Sequence, residues 1–237
     1  MHRSELVIDF VGGATGYRFR SNSGRTHPLA KATGLTKGNA PDVIDATAGL
    51  GRDAYLLASL GARVTLLERN AAVYALLQEG LAKASAAGPD IAAVVARTTL
   101  IHGDAKELLP SLHADVVLVD PMHPPRGNTA LVKQEMRLLR ELVGPDLDAL
   151  ELMQTALSSA GKRVVLKWPL RAAPLAGLPK PTYSIIGKTV RYDVFVRLSQ
   201  GAVEESPRDL RPARFRELYA RNSDSPRRPT TCMGFQG

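Results

Sequence analysis

Between residues 42 and 168 the chain alternates short apolar runs with longer amphipathic ones, and few folds accept that rhythm. Val43-Ile44, ending at Asp45, reads as a buried strand; Arg52–Leu60, closed by Gly61, reads as a helix. Arg63–Leu67, Thr98–Ile101, Asp115–Val119 and Arg163–Lys167 read as further strands. Between them lie helical patterns over Ala71–Ala86, Ala105–Leu109, Ala130–Leu142 and Asp148–Ala160. Strands separated by helices pair in parallel, with helices on both faces, and ligands sit at the carboxyl ends of the strands. Tyr183–Ile186 and Val190–Leu198, around Gly187-Lys188, read as a closing hairpin, which makes one strand antiparallel.

The flanks differ from this middle. Leu6–Val11, a turn at Gly12-Gly13, and Tyr17–Arg20 suggest a β-hairpin, and His27–Thr33 a short helix ending at Gly34. After Leu198, prolines 207, 212, 226 and 229 among many arginines leave room for one helix near 212–221. Three regions result. They are a basic N-terminal hairpin and helix (1–40), a main α/β domain (41–199), and a basic extension (200–237) expected to be disordered from 222. Residues 1–40 carry +4, 41–199 carry +2 and 200–237 carry +2, for a total of +8. A balanced middle with basic flanks suits a polyanionic partner such as nucleic acid. Cys232 is the one cysteine, which excludes a disulfide framework. The five histidines (2, 27, 102, 113 and 123) lack metal-ligand spacing, so no metal is expected. No apolar run reaches the roughly 20 residues of a membrane span. A cytoplasmic protein without a membrane or an obligate protein partner is expected.

Asp45-Ala-Thr-Ala-Gly49-Leu-Gly51-Arg52-Asp53-Ala54 joins the first strand to its helix. Gly49 and Gly51 are expected to let backbone approach a ligand where a Cβ would collide. The helix start then offers free N–H groups. Glu68 ends the second strand 17 residues beyond Gly51, where a carboxylate can take both ribose hydroxyls. Gly49-x-Gly51-x-x-Ala54 also satisfies the dinucleotide fingerprint, so a nicotinamide cofactor remains open. Asp45 before the glycines points the other way, to the cationic end of S-adenosylmethionine.

Asp120-Pro-Met-His-Pro124 follows the fourth strand at the same sheet edge. The prolines make it rigid and extended. The exocyclic amine of guanine or adenine is a poor nucleophile because its lone pair is delocalised into the ring. The Asp120 carboxylate and Pro121 carbonyl can accept its N–H bonds and aim the lone pair. His123 stands where an aromatic ring would stack on the base.

These segments resemble a known family. The carriers are Asp45–Ala54, Leu67-Glu-Arg-Asn70, Asp120-Pro-Met, Ala130-Leu-Val-Lys133, Glu135-Met-Arg137, Leu142–Asp148 and Arg163–Lys167. Over about residues 6–197 the chain resembles the bacterial small-subunit ribosomal RNA guanine-N2 methyltransferases of the RsmJ family. The resemblance implies a class I S-adenosylmethionine-dependent methyltransferase fold, Rossmann-like, with a mostly parallel seven-stranded sheet and an antiparallel closing hairpin. It implies S-adenosylmethionine as donor and N2 of a guanosine in 16S rRNA, within the small ribosomal subunit, as target. Matching motifs carry over Arg52, Asp53, Glu68, Arg69, Asp104, Ala105 and Asp120 as cofactor contacts, beside Asp45, Gly49 and Gly51. The family usually has Phe where His123 stands; a neutral imidazole stacks, an imidazolium less well. An N-terminal segment found in family members is expected to be missing before residue 6. His123 and that segment motivate a non-catalytic alternative, an rRNA-binding assembly factor that keeps the cofactor pocket.

Several basic residues are candidates for RNA contact. Lys167 ends a strand at the active edge, and Arg18, Arg20, Arg25 and Lys31 lie in the basic N-terminal region. Arg126 precedes a helix on which Lys133, Arg137 and Arg140 share one face at spacings of four and three.

Overall fold

The computed structural model describes residues 6–12, 24, 26–122, 134–144 and 146–197. The strands are Asp42–Asp45 (β1), Arg63–Glu68 (β2), Thr98–His102 (β3), Val116–Val119 (β4), Arg163–Pro169 (β5), Tyr183–Ile186 (β6) and Val190–Val196 (β7). The helices are Pro28–Thr33 (α1), Arg52–Ser59 (α2), Ala71–Ser85 (α3), Pro89–Val95 (α4), Ala105–Leu108 (α5), Gln134–Val143 (α6) and Ala149–Ser159 (α7), with a 3₁₀ turn at Leu109–Ser111. The strands form one seven-stranded sheet in the order β3-β2-β1-β4-β5-β7-β6. β7 runs antiparallel to both β5 and β6, and the other pairs are parallel. The order reverses between β1 and β4, so the crevice for a ligand opens at the carboxyl ends of those two strands.

Burial on both faces explains the continuous apolar strands. Val116 and Leu118 of β4 join Val43, Leu57, Leu66 and Leu77 in the core beneath α1, α2 and α3. Val117 and Val119 join Ile44, Leu67, Met153 and Leu166 beneath α5 and α7. α4 has no counterpart in the sequence reading. Its start signal is Pro89 at the first turn after Gly88, and its Ala-rich face hides the helical period.

The first half of the expected N-terminal hairpin is not a strand. Ile8 and Phe10 are buried while Val7 and Asp9 are exposed, so the period of two is real. However, Asp9 Oδ1 accepts the N–H groups of Val11 (2.9 Å) and Gly12 (2.8 Å), folding the segment into a turn instead of a ladder. The buried side chains pack on helices. Phe10 stacks on Tyr55 of α2 with ring centroids 4.7 Å apart, and Ile8 lies over Gly80 of α3. The other half, Tyr17–Arg20, and the extension 200–237 lie outside the described residues.

This strap lies under the glycine loop. Gly51 has φ +68°, and a Cβ there would come within 2.7 Å of Leu77 Cδ2 and 3.1 Å of Phe10 Cζ. Gly51 is therefore required by protein packing and by a left-handed backbone, not by a ligand as the sequence suggested. Both penalties fall on alanine, because Leu77 is fully buried and cannot move aside. Gly51→Ala is expected to lose about 2–3 kcal/mol of stability, measurable by urea denaturation.

Candidate active site

The tips of β1, β2 and β4 are tied together by the backbone of the glycine loop. Ala46 N–H donates to Leu118 O (2.9 Å), Ala48 N–H to Leu67 O (3.1 Å), and Gly51 N–H to Ala48 O (2.7 Å). Glu68 is buried, and its carboxylate accepts Gly49 N–H (3.0 Å) and Asn70 N–H (2.8 Å). Burial pushes the Glu68 carboxyl up, against the pull of those two N–H groups. Thr47 Oγ1 accepts Asp120 N–H at 2.7 Å, and Asp146 Oδ2 accepts Met122 N–H at 2.5 Å. Asp120-Pro-Met is thus pinned at both ends. Pro121 has no N–H to place.

A charged cluster fills the floor. Lys167 Nζ donates to Asp53 Oδ2 (2.6 Å) and Asp120 Oδ2 (2.7 Å). Burial works to lower the Lys167 ammonium, but the two carboxylates outweigh it and hold it well above the ordinary lysine value. Asp45 is buried at the end of β1 and accepts Thr47 N–H at 3.2 Å. Burial, then repulsion from Asp53, pushes its carboxyl up to about 7. Burial and Asp53 also push Asp120 up, and Lys167 pulls it back.

Two clefts meet here and share Thr47, Gly49, Asp120, Met122 and Leu139 as a common wall. The first is lined further by Glu68, Arg69, Asp104, Ala105, Asp146 and Asp148. On its rim Arg69 pairs with Asp148 (2.8 Å) and Asp146 (2.5 Å), and Lys106 pairs with Asp148 and Glu151 (both 2.9 Å). Asp104 caps α5 by accepting Lys106 N–H at 2.9 Å. The second cleft is lined further by Asp45, Arg52, Asp53, Pro121, Arg140, Lys167 and Trp168.

Asp45, Gly49, Arg52, Asp53, Glu68, Arg69, Asp104, Ala105, Asp120 and Pro121 therefore all face one joined crevice. Gly51 lies behind it. Lys167 faces it too, but its ammonium is committed to two carboxylates rather than held out for RNA phosphate. His123, Arg18, Arg20, Arg25, Arg126 and Lys133 lie outside the described residues, and Lys31 is exposed on α1. Sequence reasoning gave no role to Thr47, Met122, Leu139, Asp146 or Asp148. The two aspartates stand within a motif already noted, at a helix start, and only the fold brings them to Arg69. Among the described residues no cluster of His, Cys, Asp or Glu could hold a metal, and no helix is long and apolar enough to cross a membrane.

A family model described as "Putative SAM-dependent methyltransferase" matches residues 1–197. The chain is 68% identical over 203 residues to the ribosomal RNA small subunit methyltransferase J of Rhodopseudomonas palustris strain HaA2, covering 86% of this chain and 93% of that one. The chain belongs to that methyltransferase J family. The protein of the same name from Brucella anthropi is 64% identical over 194 residues, 82% of this chain and 95% of its own. A solved SAM-dependent methyltransferase from Neisseria gonorrhoeae superposes with a TM-score of 0.65 at 38% identity, covering 85% of this chain and 78% of that one. The nicotinamide reading of Gly49-x-Gly51-x-x-Ala54 falls with this membership.

The crevice suits the family's cofactor. Asp45 is repelled by Asp53 and Asp120 and only Lys167 offsets them, so a cation brought beside its carboxylate is favoured. S-adenosylmethionine carries a sulfonium and an ammonium. Gly49 has φ +51°, and a Cβ there would meet no heavy atom nearer than 3.7 Å, so the crevice is open beside its backbone. Below about pH 7 Asp45 must shed a proton before it can attract that cation. The chain's affinity for S-adenosylmethionine is therefore expected to rise with pH between about 6 and 8, and Asp45→Asn to flatten the rise. Calorimetric titration across that range checks both.

Proposed function

We propose that the chain methylates the exocyclic N2 of a guanosine in 16S rRNA of the small ribosomal subunit, in the cytoplasm. The observation that carries this reading is the double anchoring of Asp120-Pro-Met on the wall shared by the two clefts. The names of its relatives, which specify small-subunit ribosomal RNA, supply the substrate class.

When bound, S-adenosylmethionine supplies an electrophilic methyl group. In this reading Glu68 holds the ribose, Asp104 and Ala105 border the adenine, and Arg69 closes the rim. Asp45, Gly49, Arg52 and Asp53 line the cationic end. Lys167 occupies Asp120 Oδ2, which leaves Oδ1 as an acceptor. Oδ1 and the Pro121 carbonyl take the two N–H bonds of the amine, so its lone pair turns toward the methyl. Fixed acceptors cost no reorganisation at the moment of transfer, which is where such sites gain rate. N2 of a paired guanine is hidden, so the base enters unpaired or flipped from its stack. His123 stacks on the base, and Arg18, Arg20 and Arg25 grip the backbone.

The test is labelled methyl transfer to small subunits from cells lacking the enzyme, with large subunits as control. Digestion and mass spectrometry then identify the nucleoside. N2-methylguanosine from the small subunit alone is the expected result. Cofactor binding and RNA retention without any labelled product would instead establish the assembly-factor alternative.

A further inference from the structure

Arg140 sits in the last turn of α6 and lines the second cleft together with Asp120, Pro121 and Trp168. Its Nε–H is buried and has no acceptor among the described residues. By contrast, Arg191, also partly buried, pairs its Nε with Asp193 and donates from Nη1 to three backbone carbonyls. A guanidinium cannot escape such a position by losing its proton, and a buried donor without an acceptor is destabilising. A cation near a helix C-terminus is favourable in itself. That effect is satisfied in solvent and gives no reason to bury Nε in a cleft.

The second cleft is therefore lined both by acceptors, at Asp120 and Pro121, and by the guanidinium of Arg140, whose Nε–H lacks a partner among the described residues. The Watson–Crick edge of guanine runs amine, ring N–H, then carbonyl O6, so it offers donors at the N2 end and an acceptor at the far end. Adenine has an amino group, a donor, where guanine has O6. Resting on the guanine-N2 reading above, we propose that Arg140 is the residue that selects guanine, by donating to O6 of the target base. A phosphate oxygen offers similar acceptor chemistry, and the experiment separates the two.

Small subunits are reconstituted from 16S RNA carrying guanine or 2-aminopurine at the position that the labelling experiment marks. 2-Aminopurine keeps the reacting amine and lacks O6. Single-turnover transfer is measured with the wild-type protein, Arg140→Met and Arg140→Lys, each confirmed as folded by its melting curve. The wild type is expected to prefer guanine by roughly 10- to 100-fold. Arg140→Met is expected to lose that preference by slowing on guanine while holding its rate on 2-aminopurine. Arg140→Lys, which keeps the charge without the fork, is expected to fall between them. Equal slowing on both bases, with the salt dependence of binding reduced by about one charge, would assign Arg140 to phosphate and overturn the proposal. An unchanged preference in Arg140→Met would overturn it as well. Absence of any N2-methylguanosine with the wild type on guanine would instead overturn the guanine-N2 reading, and this proposal with it.

Discussion

Asp120→Ala is expected to slow methyl transfer by roughly 10²- to 10³-fold, the loss typical of removing one preorganised group that acts on developing charge. Binding of S-adenosylhomocysteine is expected to survive, because the first cleft keeps Glu68, Arg69 and Asp104. The reasoning starts from the backbone. Thr47 and Asp146 hold the N–H groups on either side of Pro121, so the tripeptide keeps its course whatever side chain stands at 120. What alanine removes is the carboxylate. Asp120→Asn keeps the shape and one acceptor but loses the charge, so it should fall between alanine and the wild type. Single-turnover assays with saturating cofactor separate this loss from weaker binding. An alanine variant with full transfer would sink the mechanism.

Lys167→Met is the second large effect, and it is one of stability as much as of rate. Lys167 and Asp53 are each about four-fifths buried, and breaking such a pair costs several kcal/mol because the remaining charge is stranded. Here Asp45, Asp53 and Asp120 are left together, so a loss of about 2–4 kcal/mol is expected at pH 8. The sign of the pH dependence follows from the direction of the carboxyl shifts. Asp45 and Asp120 are raised above their unfolded values, so the stability linked to their protons is present at low pH and is lost as pH rises through the folded values. Without Lys167 those values rise further. The deficit of the variant should therefore be smaller at pH 5.5 than at pH 8, as read from urea melts. An equal deficit at both would mean that only packing was lost. The acid limb of the rate profile should also move to higher pH, since Asp120 must be ionised to accept from the amine.

The sheet was legible because each strand is a short apolar run closed by a polar or glycine signal, and burial on both faces forces that pattern. Asp45 and Asp120 were legible for the same reason: each is the first charge after such a run, at the edge where ligands collect. Other features depend on chain segments far apart in sequence. Nothing near Lys167 tells that it meets Asp53, 114 residues away, or that Arg69 meets Asp146, 77 residues away. Local reading therefore gave Lys167 to RNA when the fold gives it to two carboxylates. The N-terminal strap shows the converse. Its period of two suits a ladder partner, but the same alternation arises when an extended segment lies across helices. At position 51 a glycine is required, and the sequence does not say which neighbour, ligand or protein, requires it.

That strap also sets an order of events. Phe10 leaves the ribosome early, yet Tyr55, on which it stacks, and Leu77, which with it crowds Gly51, follow 45 and 67 residues later. The turn at Gly51 cannot close on its full set of contacts until α3 has been made and the beginning of the chain has folded back over it. Native contacts of such wide separation carry the loop-closure cost that slows folding. A nascent chain can thus assemble its first strands and helices before it has a finished cradle for the methyl donor. Competence to bind waits first for this meeting of two distant parts and then for Asp120 and Lys167, which are made later and complete the crevice.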